Sequence, residues 1–250
     1  MRKTGLVIYS VLLWTFFVLT SMVMFSISFV IWLLSRWFDK RLLILHIISS
    51  IWGSLYIWCN PLWKVHIEGR KKLPWKKPAI LVSNHQSMLD ILVLYQLFAP
   101  FKWVSKKENF GTPIIGWVMR LNDYLEIDRN SRESYGKLMQ KACSMLKQGS
   151  SILIFPEGTR YPGGELGPFK EGAFKMAHDN GADIIPIVLD GTARALPKKG
   201  AILTGCSSIR VRVLDPIVYE EFSGKTIRET LELVRKLMSE EYASLQDING

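Results

Sequence analysis

In Ala79-Ile80-Leu81-Val82-Ser83-Asn84-His85-Gln86-Ser87-Met88-Leu89-Asp90-Ile91-Leu92-Val93-Leu94 one apolar run gives way to a polar segment and then to a second apolar run. Ala79 to Val82 reads as a short buried strand and Ile91 to Leu94 as the buried face of a helix, so the polar residues between them fall on a strand-to-helix turn. Residues five apart on a helix are rotated by about 140°, so His85 and Asp90 could not meet in mid-helix. The spacing therefore predicts His85 ahead of the helix, Ser83 or Asn84 near the N-cap, and Asp90 in an early turn reaching back. A carboxylate so placed holds one ring nitrogen as N–H and leaves the other to accept a proton. That is a general base with an orienting partner, suited to activating a hydroxyl.

Outward from this turn, strand-like and helix-like stretches alternate. Candidate strands are Ala79 to Ser83, Lys102 to Ser105, Tyr124 to Ile127, Ser151 to Phe155, Ile184 to Leu189 and Ile209 to Leu214. Leu138, Ala142, Met145 and Leu146 mark a helix closed by Gly149, and a last packing helix runs from Thr226 to about Leu245. This is the pattern of an α/β domain with a parallel or mixed sheet, in which catalytic groups gather in the loops that follow strands. His46, His66 and His178 read as structural. Cys59, Cys143 and Cys206 are isolated, with neither a disulfide framework nor a zinc spacing, and read as small buried residues in a reducing compartment.

One such loop, after Ile152 to Phe155, reads Pro156-Glu157-Gly158-Thr159-Arg160. Pro156 ends the strand, Gly158 permits a backbone geometry or close approach denied to other residues, and Glu157 and Arg160 emerge together. An acid that can bind a hydroxyl beside a base that can bind phosphate in bidentate fashion suits a phosphorylated polyol, although a structural turn with a local ion pair has the same residues.

The start of the chain differs from the rest. Thr4 to Ser35 is a run of 32 residues without Asp, Glu, Lys or Arg, and Leu42 to Trp63 a run of 22. Both exceed the roughly 18 that read as a membrane helix, and the first is too long for the apolar core of a cleaved signal peptide. The link Arg36-Trp37-Phe38-Asp39-Lys40-Arg41 is basic. Two full crossings would place it against the positive-inside bias, so a hairpin within one leaflet on the cytoplasmic side of the cell membrane is expected, with two spans as the alternative. Residues 1–77 carry a net charge of +9 and residues 78–250 a net of +1. The excess thus lies beside the apolar segments, as anionic lipid headgroups require, and not in the stripe on a folded domain that nucleic acid requires. The expected division is a two-helix membrane anchor at 1–63, a basic juxtamembrane linker at 64–78 and a catalytic domain at 79–250.

Taken together, His-x-x-x-x-Asp at 85–90 and Phe-Pro-Glu-Gly-Thr-Arg at 155–160 resemble the glycerolipid acyltransferases, most closely the lysophosphatidic acid acyltransferases (1-acyl-sn-glycerol-3-phosphate acyltransferases). The likeness covers about Pro78 to Pro197. Ser105-Lys106-Lys107-Glu108, Ile127-Asp128-Arg129 and Ile184-Ile185-Pro186-Ile187 look like that family's other blocks, while Glu126 stands where an aromatic is frequent. The resemblance implies an α/β domain with a mixed sheet flanked by helices, preceded by a membrane-embedded two-helix hairpin. It implies that Lys106, Arg129 and Arg160 surround a substrate phosphate, with Lys107 as an alternative to Lys106 and Lys170 a further candidate. Glu157 would lie on the glycerol and Pro186 near the acyl chain.

The expected reaction transfers an acyl group from a thioester, acyl-CoA or acyl carrier protein as co-substrate, to the sn-2 hydroxyl of lysophosphatidic acid. His85 is the base, Asp90 its orienting partner and a backbone N–H around Gly158 the oxyanion donor. Neither a metal nor another cofactor is required. Ser87 as an acylated nucleophile is the rival mechanism, without a Gly-x-Ser-x-Gly elbow to support it. Glycerol 3-phosphate or another lysophospholipid is the rival acceptor, and a non-enzymatic lipid carrier the rival class.

Overall fold

The computed structural model describes residues 3–162, 164–197, 202–203 and 205–249. Its elements, in chain order, are α1 (Lys3–Ser35), α2 (Leu43–Trp58), β1 (Trp63–Glu68), β2 (Ala79–Ser83), α3 (Leu89–Tyr95), β3 (Phe101–Lys106), α4 (Lys107–Phe110), α5 (Ile115–Leu121), β4 (Leu125–Ile127), α6 (Arg132–Lys147), β5 (Ser151–Ile154), α7 (Gly172–Asn180), β6 (Asp183–Asp190), α8 (Thr192–Ala195), β7 (Ser207–Val213), α9 (Tyr219–Phe222) and α10 (Ile227–Asn249). Among the described residues the strands form one seven-stranded sheet in the order β1-β7-β6-β2-β5-β3-β4. All neighbouring pairs are parallel except β6 with β7, so the sheet is mixed.

β2, at the centre, is buried along its whole length, and its alternating side chains feed both layers. Ala79 and Leu81 pack with Leu89, Val93 and Leu94 of α3, on the side that also receives Leu13 of α1. Ile80 and Val82 pack with Leu138 of α6, Phe174 of α7 and Val234 of α10. Each such aliphatic side chain, fully withdrawn from water, contributes roughly 1.5–3 kcal/mol. The helical pattern Leu138, Ala142, Met145 and Leu146 is buried as its spacing predicts. Gly149, at φ +86°, ends that helix with its N–H on Leu146 O and the next N–H, of Ser150, on Met145 O.

The segment read as a linker contains an additional strand. β1 alternates inward Trp63, Val65 and Ile67 with exposed Lys64, His66 and Glu68, and pairs with β7 along the sheet edge. The alternation is short and its outward residues are charged, which blunts an edge against aggregation and makes it read as solvent-exposed linker. The basic residues that follow are also partly engaged within the domain. Arg70 donates to Gln96 O at 2.8 Å, and Lys72 and Lys77 pair with Asp215 and Asp183 at 2.9 and 2.8 Å. The cysteines correct another expectation: Cys59 and Cys206 are exposed and Cys143 is half-buried, all three as free thiols.

The two N-terminal helices differ. α1 exposes an apolar stripe that includes Ile8, Leu12, Leu19, Val23, Val30 and Leu34. α2 is only 16 residues, and it buries Leu45, His46, Ser49, Trp52, Gly53 and Tyr56. Its inner face is polar and specific. His46 bonds Tyr124 Oη at 3.1 Å and Ala99 O at 2.9 Å, and Asn122 donates to Ser49 Oγ at 3.0 Å. Gly53 lies where a Cβ would meet Tyr95 Cδ2 of α3 at 2.8 Å, so α2 is fitted directly onto the helix that carries Asp90.

Candidate active site

His85 lies after the end of β2 and four residues before α3 begins, as the spacing required. The helix starts later than expected, with Met88 at its N-cap. Asn84 is withdrawn from capping because its side chain continues the sheet, donating to Leu189 O and accepting from Leu189 N, both at 2.8 Å. Asp90, in the first turn, ties down the residues ahead of the helix: its Oδ2 accepts from Gln86 N at 2.6 Å and Ser87 N at 2.9 Å. The same oxygen lies 2.6 Å from His85 Nδ1. Asp90 is fully buried, whereas the His85 side chain keeps 15 % of its surface exposed. The imidazole lies flat on Phe155, with centroids 4.1 Å apart and the planes within 11°. The ring is thus held on one face and at Nδ1, which leaves Nε2 for a reacting hydroxyl.

The second motif joins the first. Glu157 is 3 % exposed and its Oε1 accepts from His85 N at 3.3 Å, while Tyr161 N donates to His85 O at 2.8 Å. Glu157 therefore braces the histidine backbone through Oε1. Burial pushes its carboxyl up to about 8; the His85 N–H opposes the shift, nearby Asp90 adds to it and the Gly167 N–H opposes it. Gly158 has φ +68°, as a glycine turn requires, but its N–H closes that turn on Phe155 O at 3.0 Å. That N–H is therefore already bonded within its own turn. A Cβ on Gly158 would lie 3.2 Å from Lys170 Nζ, so Lys170 is a cation of this loop.

Sheet register locates the remaining candidates. Lys106 ends β3 opposite Ile127, and Arg129 follows two residues on. Both are exposed, and Arg160 is half-buried. Trp103 and Leu81 both align with Leu153, which places Lys106 and Asn84 level with Pro156 at the carboxyl edge of three adjacent strands. Neighbouring strands lie about 4.8 Å apart, so Lys106 and the Arg129 segment stand about 10 and 15 Å across the edge from β2. Lys107 instead approaches Asp128 at 3.8 Å. Pro186 is not brought to this cluster. It is buried in β6 opposite Val82, about 10 Å back along the strand from His85, sharing the sheet face of Ile184 and Val188. Ser87 is fully buried and donates to Leu196 O at 2.6 Å, so it is not poised as a nucleophile.

Three further residues enter that the motifs did not mark. Thr192 Oγ1 donates to Asp90 Oδ1 and lies 3.3 Å from Gln86 Oε1, and Gln86 Nε2 donates to Tyr242 Oη of α10 at 2.6 Å. Their partners lie 102, 106 and 156 residues away along the chain, beyond the reach of any local pattern.

A histidine–carboxylate pair at the carboxyl edge of a mixed α/β sheet, with cations beside it, is an arrangement that can activate a hydroxyl. The chain belongs to the acyltransferase family, whose sequence model matches residues 64–190. Among its relatives, the chloroplastic 1-acyl-sn-glycerol-3-phosphate acyltransferase LPAT1 of Arabidopsis thaliana is 39% identical over 69% of this chain and 48% of its own. The Pseudomonas aeruginosa 1-acyl-sn-glycerol-3-phosphate acyltransferase is 30% identical over 74% of this chain and 71% of its own. This chain spans about half the length of the chloroplastic relatives it matches. The fold is that of the 1-acyl-sn-glycerophosphate (LPA) acyltransferase PlsC from Thermotoga maritima, with a TM-score of 0.77 over 98% of both chains at 22% identity.

Proposed function

We propose that this protein transfers a fatty acyl group from an acyl thioester to the sn-2 hydroxyl of lysophosphatidic acid, giving phosphatidic acid for phospholipid biosynthesis. The observation that carries the reading is the 2.6 Å contact of His85 Nδ1 with the fully buried Asp90. His85 Nε2 takes the hydroxyl proton as the substrate oxygen bonds to the thioester carbon. The tetrahedral intermediate collapses with loss of the C–S bond, and the imidazolium returns its proton to the departing sulfur, so the step needs neither a metal nor an acyl-enzyme. Asp90 keeps the imidazole oriented and stabilises its charged form. Lys106, Arg129 and Arg160 hold the phosphate, and Lys170 stands by the Gly158 turn where negative charge develops.

The placement we propose is the cytoplasmic face of the cell membrane. The exposed stripe from Ile8 to Leu34 is about 39 Å long, more than the ~30 Å of hydrocarbon, so α1 lies tilted or in the plane of one leaflet. α2, about 24 Å long, is shorter than that thickness and docked on the domain, which supports a hairpin in one leaflet over two crossings.

The test is acyl transfer by the purified full chain in lipid vesicles. Acyl-CoA and acyl carrier protein are compared as donors, and lysophosphatidic acid is compared with glycerol 3-phosphate and larger-headgroup lysophospholipids. His85→Ala is expected to lower the rate by roughly 10²- to 10⁴-fold. Full activity of that variant refutes the base. Preference for another acceptor reassigns the substrate, and absence of acceptor-dependent thiol release leaves a lipid carrier.

A further inference from the structure

β6 and the turn after it hold the opposite side of the His85–Asp90 loop. Gly191, at φ +97°, turns the chain so that Thr192 reaches the loop and opens α8. From there Thr192 Oγ1 bonds Asp90 Oδ1, and four residues later Leu196 O accepts the Ser87 hydroxyl. The two carboxylate oxygens divide their partners: Oδ2 meets His85, Gln86 N and Ser87 N, and Oδ1 meets Thr192. Gln86, beside Thr192, is held in turn by Tyr242 of the last helix. All four side chains are buried: Asp90 and Thr192 at 0 %, Gln86 at 3 % and Tyr242 at 4 % exposure.

A carboxylate held only through Oδ2 could rotate about its terminal bond and carry the Nδ1 contact with it. We infer that Thr192 is a positioning residue of the reaction, locking the rotation of the Asp90 carboxylate so that its other oxygen aims the His85 ring, with Gln86 packed beside it and held in turn by Tyr242 of α10. The inference rests on the reading of His85 as base. It enlarges the machinery from two motifs to four segments, tying the C-terminal helix to the proton-transfer geometry.

Thr192→Val keeps the shape and deletes the hydroxyl, and Thr192→Ser keeps the hydroxyl and deletes a methyl. In vesicles with acyl-CoA and lysophosphatidic acid, the valine variant is expected to lose kcat by about tenfold or more, the scale that misplacement of an orienting group costs, with KM for both substrates within about twofold. The serine variant is expected to stay within about threefold of wild type. Tyr242→Phe, which removes the hydroxyl that accepts from Gln86 and also bonds Gln246, is expected to lower kcat by a smaller factor, and it reads the same brace if the valine variant fails to fold. A folded Thr192→Val with unchanged kcat, failure of serine to restore the rate lost with valine, or an unchanged Tyr242→Phe alongside an unfolded valine variant overturns the inference. His85→Ala in the same assay separates the two questions: if it is active, the base is wrong, and if it is inactive while Thr192→Val is not, only the positioning role is.

Discussion

Glu157→Gln isolates what one buried acid does to stability. Glu157 is 3 % exposed, and its carboxyl is raised from 4.5 to about 8, chiefly by burial. At about 1.36 kcal/mol per unit, that rise corresponds to at most roughly 4–5 kcal/mol between the protonated and ionised forms, of which solvent relaxation leaves a few. The native acid keeps its proton between pH 4.5 and about 8, where the unfolded chain has released it. Stability from this group is therefore fully present below pH 4.5 and is lost as pH rises through about 8. Glutamine retains an oxygen for the His85 N–H and never ionises. Its thermal midpoint should lie close to wild type at pH 4.5 and above it at pH 9. For a chain of this size a kcal/mol moves the midpoint by about 2–4 °C, so a gap of roughly 4–10 °C is expected to open between the two pH values. The assay is a melting series of both proteins in the same detergent across that range. If the two curves move in parallel, the acid is not being forced to ionise in the folded state, and its placement against His85 is wrong.

Other perturbations follow from single contacts. Lys102 is 4 % exposed, donates to Asn122 O, and is pushed down to about 8 by burial. Because its folded value is depressed, its penalty is complete below pH 8 and fades towards 10.5; Lys102→Met should stabilise by about 1–2 kcal/mol at pH 7 and by less at pH 10, read as thermal midpoints. Gly53→Val places a side chain where Tyr95 already stands at 2.8 Å, and should cost about 1–3 kcal/mol while lowering acyl transfer, since α3 carries Asp90. Gly158→Ala puts a Cβ at φ +68° and 3.1 Å from Lys170 Cε, so a loss of about 1–2 kcal/mol together with reduced turnover is expected in melts and initial-rate assays.

Much of this protein was readable along the chain because the forces concerned act over a few residues. Short strand-like runs located six strands and the 3.6-residue pattern the helix of Leu138 to Leu146, and the five-residue spacing of His85 and Asp90 could be satisfied only with the histidine ahead of the helix. The long uncharged run at Thr4 to Ser35 likewise announced α1. β1 escaped because a charged edge strand has the composition of a linker, and the late start of α3 because Asn84 turned out to serve β6.

Tertiary structure alone decided the duties of side chains whose partners are far away in sequence. Glu157 braces His85 across 72 residues, Thr192 reaches Asp90 across 102, and Tyr242 holds Gln86 across 156. It also assigned the Gly158 N–H to its own turn and fitted α2 onto α3 through Gly53 and Tyr95. A residue's type and its near neighbours determine which local geometry it can adopt. Which polar group meets a buried carboxylate depends on how the sheet orders its strands, and no local spacing encodes that order.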